Sequence, residues 1–109
     1  MSGSNGSSGV GSGFWEGEES CETLVIDTQL SSPKPDVISD ISVGDLLDIS
    51  AQPIGTTTVV VAFYKGKVAG GLASPKTRRL LECLAGGTRY VARVTEKNDG
   101  QIRVRVSPQ

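Results

Sequence analysis

Between Thr56 and Leu72 the chain carries two apolar, β-branched runs on either side of Lys65-Gly66. Glycine in a two-residue loop supplies the positive φ of a tight hairpin turn, so the runs are expected to pair as antiparallel strands. Pairing Tyr64 with Lys67 sets Phe63 opposite Val68, Val61 opposite Gly70 and Val59 opposite Leu72. The reverse face, with Val60, Ala62 and Ala69, is nearly as apolar. Two apolar faces mark strands that are central or enclosed, which directs the chain toward a curled or closed sheet.

The flanking segments extend this reading. Thr23 to Thr28 is a short β-branched run and the first expected strand. Ser31 to Pro35 reads as a loop, and Asp36 to Asp40 has room for one short helical turn. Leu46 to Ala51 alternates weakly after the Gly44-Asp45 turn. Ser74 and Pro75 suit an N-cap and a first helical position. Leu80, Leu81 and Leu84 then recur at helical spacing, and Gly86-Gly87 ends the helix. Arg89 to Val106 reads as a second hairpin. A three-residue loop, Asn98-Asp99-Gly100, sets Val94 opposite Val104 and Ala92 opposite Val106, whereas a one-residue slip would bury arginines. The preferred register puts Arg93 opposite Arg105 and Thr95 opposite Arg103.

The expected order is β-β-β-β-α-β-β, a mainly β, α+β domain. It suits a small, partly open β-barrel or a curled antiparallel sheet with one helix plugging it. Residues 21–107 form the single domain. Residues 1–20 are a Gly/Ser-rich and acidic tail that resembles a cloning linker in part. Too few apolar groups are present there to offset the entropy of ordering, so disorder is expected.

The chain has no histidine, which removes imidazole general bases and Ser-His-Asp or Cys-His nucleophiles. Walker A and GxGxxG patterns are absent as well. Cys21 and Cys83 lack zinc-site spacing. Cys83, within Leu80-Leu81-Glu82-Cys83-Leu84, reads as a buried structural thiol, and a disulfide to Cys21 stays open. Asp45 and Asp48 read as a solvated pair. The expectation is a non-enzymatic protein with no cofactor and no metal. No run approaches the roughly 20 apolar residues of a membrane helix. No basic-then-apolar leader is visible, so cytoplasmic residence is expected.

Charge supplies the functional hint. Residues 1–41 hold one base, Lys34, against seven acids, and residues 42–109 hold ten bases against five acids. Such asymmetry suggests a basic binding face with an acidic tail. Two placements are uphill. Arg93 facing Arg105 costs a few tenths to about 1 kcal/mol. Lys76, Arg78 and Arg79 crowd the helix start, where the macrodipole favours acids. An anion bound there would offset both charge and free N–H groups. A polyanion such as single-stranded nucleic acid is therefore the expected partner, through Arg93, Arg103, Arg105, Lys76, Arg78 and Arg79. Lys65 and Lys67 stand beside Tyr64, the candidate for base stacking. The bland alternative is solvation, or neutralisation by Glu82, Glu96 or the acidic tail. A second functional alternative is a protein-interaction or assembly domain that docks through an edge strand or the Phe14-Trp15 segment.

Residues 57–94 carry a further pattern. Thr57-Thr58-Val59-Val60-Val61-Ala62-Phe63 is followed by Gly66-Lys67-Val68-Ala69-Gly70-Gly71-Leu72, a helix from Pro75 to Leu84, Gly86-Gly87 and Val91 to Val94. This succession resembles the second half of a HIRAN domain. The resemblance implies an OB-like barrel, a family in which some members bind single-stranded DNA ends, and a structural role for Gly70. The acidic-Asn-Pro segment that usually precedes the strand has no counterpart in Asp48 to Gly55.

Overall fold

The computed structural model describes residues 20–109. Among them, six antiparallel strands close a barrel in the order β1-β4-β3-β2-β5-β6. The strands are β1 (Ile26–Ser31), β2 (Leu46–Ile54), β3 (Thr57–Tyr64), β4 (Lys67–Leu72), β5 (Tyr90–Asn98) and β6 (Gln101–Pro108). One helical turn, α1 (Pro35–Ile38), precedes β2, and the main helix, α2 (Thr77–Ala85), lies between β4 and β5. The expected element order holds, and the sheet is fully closed rather than partly open. No helix among the described residues is long and apolar enough to cross a membrane. The Gly/Ser-rich tail and Phe14-Trp15, for which disorder and partner docking are expected from the sequence, lie outside the described residues.

The first hairpin turns as its sequence dictates. Lys65 and Gly66 both adopt positive φ, at 52° and 83°, the signature of a type I′ turn whose twist matches the strands. Tyr64 pairs with Lys67 and Phe63 with Val68. Beyond that point the expected register is corrected. Ala62 pairs with Gly70, Val61 with Gly71 and Val60 with Leu72, because Ala69 is an extra residue on β4. Such a bulge bends the strand and raises its twist. Its effect on packing is direct: Val60, Ala62, Ala69 and Leu72 all enter the core, while Val59, Val61 and Phe63 stay half-buried on the outer face.

Gly70 sits opposite Ala62 where β1 crosses toward α1. A methyl group there would stand 3.0 Å from the Ser31 carbonyl oxygen and 3.3 Å from Leu30 Cβ. Both contacts are backbone-fixed, so the seam must move to admit it. Gly70→Ala is expected to cost about 1–3 kcal/mol by overpacking. A urea titration showing an unchanged midpoint would contradict that close approach.

The second hairpin reaches its expected pairing by a different route. Val94 faces Val104, Ala92 faces Val106 and Arg93 faces Arg105. The turn, however, is the two-residue Asp99-Gly100, with Asp99 at φ 53° and Asn98 paired with Gln101. Thr95 is the extra residue on β5, so Glu96, not Thr95, stands opposite Arg103. The bulge absorbs the parity mismatch that the longer loop was expected to absorb. It also turns Lys97 inward, where its ammonium donates to the Ile41 carbonyl at 2.8 Å.

The core is continuous and wholly apolar. Leu24, Ile41, Leu47, Leu80, Ile102, Val60, Val94, Val104 and Val106 are its largest fully buried side chains, and no polar or charged residue is buried among the described residues. The first strand begins three residues later than expected, at Ile26, and β2 runs on to Ile54. Barrel closure explains both shifts. β1 is bounded by its partners β6 and β4, and β2 is held by β3 from Asp48 to Ile54.

Helix α2 starts at Thr77 rather than Pro75. The Ser74 hydroxyl accepts from the Lys76 N–H at 3.2 Å, the Ser74 N–H donates to Thr77 Oγ1 at 2.9 Å, and the Ser74 carbonyl accepts from the Thr77 N–H at 3.0 Å. This reciprocal turn holds residues 74–76 outside the helix. The C-terminus meets expectation. Gly87 takes φ 100°, its N–H reaches the Leu84 carbonyl, and the Thr88 N–H reaches the Cys83 carbonyl. That pair of bonds is a Schellman motif.

Cys83 is not a free thiol. It is joined to Cys21 in a disulfide with Cα atoms 5.5 Å apart, and no free cysteine remains. The buried position of Cys83 agrees with the sequence reading. The bond itself depended on where the segment before β1 lies. Tyr90 anchors that segment from below, its hydroxyl donating to the Cys21 carbonyl at 2.6 Å.

Burial is the main force that raises the Tyr90 phenol above its ordinary value, with Glu22 adding to it and Arg79 opposing it. A raised folded-state value means the stabilising contribution is complete below the unfolded value near 10. It is then lost as pH rises through the folded value. Stability should therefore fall faster above pH ~10 in the parent than in Tyr90→Phe. Denaturant midpoints at pH ~9 and ~11 for both proteins decide this, and identical slopes would remove Tyr90 as the cause.

Candidate polyanion interface

The outward face of β5 and β6 collects three of the expected cations. Arg93 lies directly opposite Arg105, and Arg103 follows two residues away on the same face of β6. All three are exposed. Their alternation with the buried Ile102, Val104 and Val106 aims them at solvent.

Carboxylates enter this face from both sides. Asp27 on β1 stands opposite Arg105, and the Arg105 Nε–H donates to Asp27 Oδ1 at 2.8 Å. The hydrogen bond and charge of Asp27 raise the guanidinium's hold on its proton above the ordinary arginine value. Both side chains are more than half exposed, so water screens the pair and its net worth is small. On the other side, Glu96 lies opposite Arg103 and accepts from the Asn98 amide at 3.1 Å. Asp27 and Glu96 are the residues that sequence reasoning missed or placed loosely. Asp27 meets Arg105 only through the β1–β6 pairing. Glu96 meets Arg103 only through the bulge at Thr95.

The helix-start cations join this face in part. Lys76 and Asp27 line one shallow pocket of about 240 Å³ together with Val25, Ile26, Ser74 and Pro75, so Lys76 borders the carboxylate that holds Arg105. The Lys76 ammonium also donates to the Val25 carbonyl at 3.5 Å. Arg79 is paired with Glu82 at 3.0 Å, and Arg78 is exposed. The anion cradle expected at the start of α2 is largely filled from within. Ser74 already takes the N–H groups of Lys76 and Thr77.

Tyr64, Lys65 and Lys67 lie elsewhere. They occupy the β3–β4 turn, across the barrel from β5–β6 in the strand order. The Tyr64 hydroxyl is 3.3 Å from the Asp40 carbonyl and 3.2 Å from Asp45 Oδ2. Its ring packs against the core, and the Lys65 ammonium sits 5.3 Å from the ring centroid. Tyr64 is thus a joint between the turn and the loop before β2. Asp45 also accepts from the Ser42 N–H at 2.9 Å, so the Asp45–Asp48 pair is divided between a loop clasp and an exposed strand position. Among the described residues no group of three or more His, Cys, Asp or Glu could hold a metal.

A further groove is distinct from all of these. A groove of about 740 Å³ opens at the barrel mouth between α2 and the free edge of β2, with Ile49, Ala51, Leu81 and Leu84 on its walls and Arg89 at its rim. Pro53 lies in this stretch of β2 and has no N–H to offer an incoming strand, a common protection of sheet edges. The closed six-stranded barrel is compatible with the OB-like fold that the HIRAN resemblance implies, whereas comparison of the chain with known families, curated proteins and solved structures finds no match.

Proposed function

We propose that this domain is a non-enzymatic binding module that engages a polyanion, nucleic acid in particular, through the outer β5–β6 face. The observation that carries the reading is the direct juxtaposition of Arg93 and Arg105, with Arg103 beside them. Like charges facing each other across strands are unfavourable in the free protein, and a phosphate chain would relieve them. Asp27 and Glu96 moderate the field of the three arginines without equalling it, two carboxylates against three guanidinium groups. The site residues are Arg93, Arg103 and Arg105, with Lys76 and Arg78 at its border. Lys65, Lys67 and Tyr64 fall outside it. A HIRAN-like role at single-stranded DNA ends is one form of the same reading.

Substituting serine for Arg93, Arg103 and Arg105 together is expected to abolish retention on a phosphate matrix. In solution, three phosphate contacts give a slope of roughly −2 in log K against log salt for single strands. Unchanged retention of the triple variant would reject this face.

A second reading, an assembly or protein-interaction domain, is favoured by one feature. The outer side of β3 presents half-buried Val59, Val61 and Phe63, flanked by Ile54 and Val68, which are 63% and 40% exposed. It predicts self-association that persists at high salt and no binding to oligonucleotides. Sedimentation at low and high salt separates the two readings.

A further inference from the structure

Helix α2 is intrinsically weak. It has nine residues, no acid in its first turn, and a cap residue, Lys76, whose side chain makes no capping bond. Helices this short do not persist alone in water, so tertiary anchors must hold them. Only two residues of α2 are buried, Leu80 and Cys83. One of these two anchors is therefore half of a covalent bond. The other half, Cys21, is fixed to the barrel on its own account. The Ser20–Thr23 turn closes around it, Leu24 beside it is fully buried, and Tyr90 holds its carbonyl.

We propose that the Cys21–Cys83 disulfide is a redox-sensitive clamp that locks α2 over the barrel mouth, and that the clamped form belongs to an oxidising compartment. Disulfides persist in such compartments and are kept reduced where thiol buffers dominate. The expectation of cytoplasmic residence gives way to this reading. Opening requires a thiol reductant of the dithiol or glutathione class. Its thiolate attacks the Sγ of Cys21, the half-buried residue of the pair, and Cys83, 1% exposed, leaves as a thiolate that takes up a proton. A second reductant thiolate then attacks the mixed disulfide and releases Cys21, likewise protonated. Two electrons pass to the protein, and the reductant leaves as its own disulfide. With the bond cut, α2 is held only by non-covalent packing, through Leu80, Cys83 and the partly buried Leu81 and Leu84. The groove walled by Leu81 and Leu84 opens with it.

Hydrogen exchange on the intact protein, before and after dithiothreitol, tests the clamp. Reduction is expected to lower amide protection in α2 at least ~10-fold more than in β6, with far-UV circular dichroism still reporting a folded barrel. Alkylation should count two thiols after reduction and none before. Reduction lowers the stability of the whole fold as well, so the excess loss in α2 is what reports the clamp; a loss in α2 no greater than in β6 would overturn it. Unchanged protection in α2, or two thiols alkylated without reductant, would overturn it as well. The pair Cys21→Ser and Cys83→Ser should show the loosened helix without reductant, and a tight α2 in that variant also refutes the proposal.

Discussion

Replacing Cys21 and Cys83 together by serine is expected to lower the midpoint of thermal unfolding by roughly 15–30 °C. The two half-cystines are 62 residues apart. A cross-link closing a loop of that length removes about 4 kcal/mol of chain entropy from the unfolded ensemble. In a domain of about 85 residues each kcal/mol moves the midpoint by roughly 4–8 °C. The effect is large because small domains bury a modest share of their surface and hold little stability in reserve. Scanning calorimetry of the parent and double variant measures it directly. A fall of less than ~5 °C would mean that the segment before β1 stays ordered in the unfolded chain, so that the bond constrains nothing.

Val104→Arg is the second large effect. Val104 is 1% exposed and faces Val94 across the β5–β6 ladder. The interior around it holds no polar or charged residue among those described. A guanidinium there has no partner, and an unpaired buried charge costs several kcal/mol, with at least ~4 kcal/mol expected here. The neighbouring positions on β6 already carry arginine with no burial cost because they face water. Arg103→Val should leave the unfolding midpoint nearly unchanged, within about 0.5 kcal/mol. The contrast between adjacent positions tests the register itself. A cooperative melt of Val104→Arg within a few degrees of the parent would show that β6 has slipped or that its face assignment is reversed.

The same ladder shows where sequence reading succeeded and where it stopped. Alternation in Gln101 to Val106 made the inward valines and outward arginines legible, because the side-chain period of a strand is two. The pairing of Arg93 with Arg105 followed from it. The route was not legible. A two-residue turn with a bulge at Thr95 and a three-residue loop both satisfy the local pattern. The choice between them decides whether Thr95 or Glu96 stands opposite Arg103. For the candidate site this matters, since one of those residues carries a charge that offsets the arginine. Tyr64 presents the converse case. Its place beside Lys65 and Lys67 suggested a stacking surface, yet Asp40 and Asp45 reach its hydroxyl from a loop about twenty residues upstream.

Three features were written locally in the chain: the Lys65-Gly66 turn, the Schellman end of α2 at Gly87 and the inward face of β6. Each depends on backbone preferences or periodicity within a few neighbouring residues, which is why composition and spacing suffice to find them. The closure of β1 on β6, the meeting of Asp27 with Arg105 and of Cys21 with Cys83, and the bulges at Ala69 and Thr95 were settled by the folded barrel alone. These contacts join residues far apart in the chain or adjust strands to a common core. Their energies come from packing that exists only once all six strands are in place.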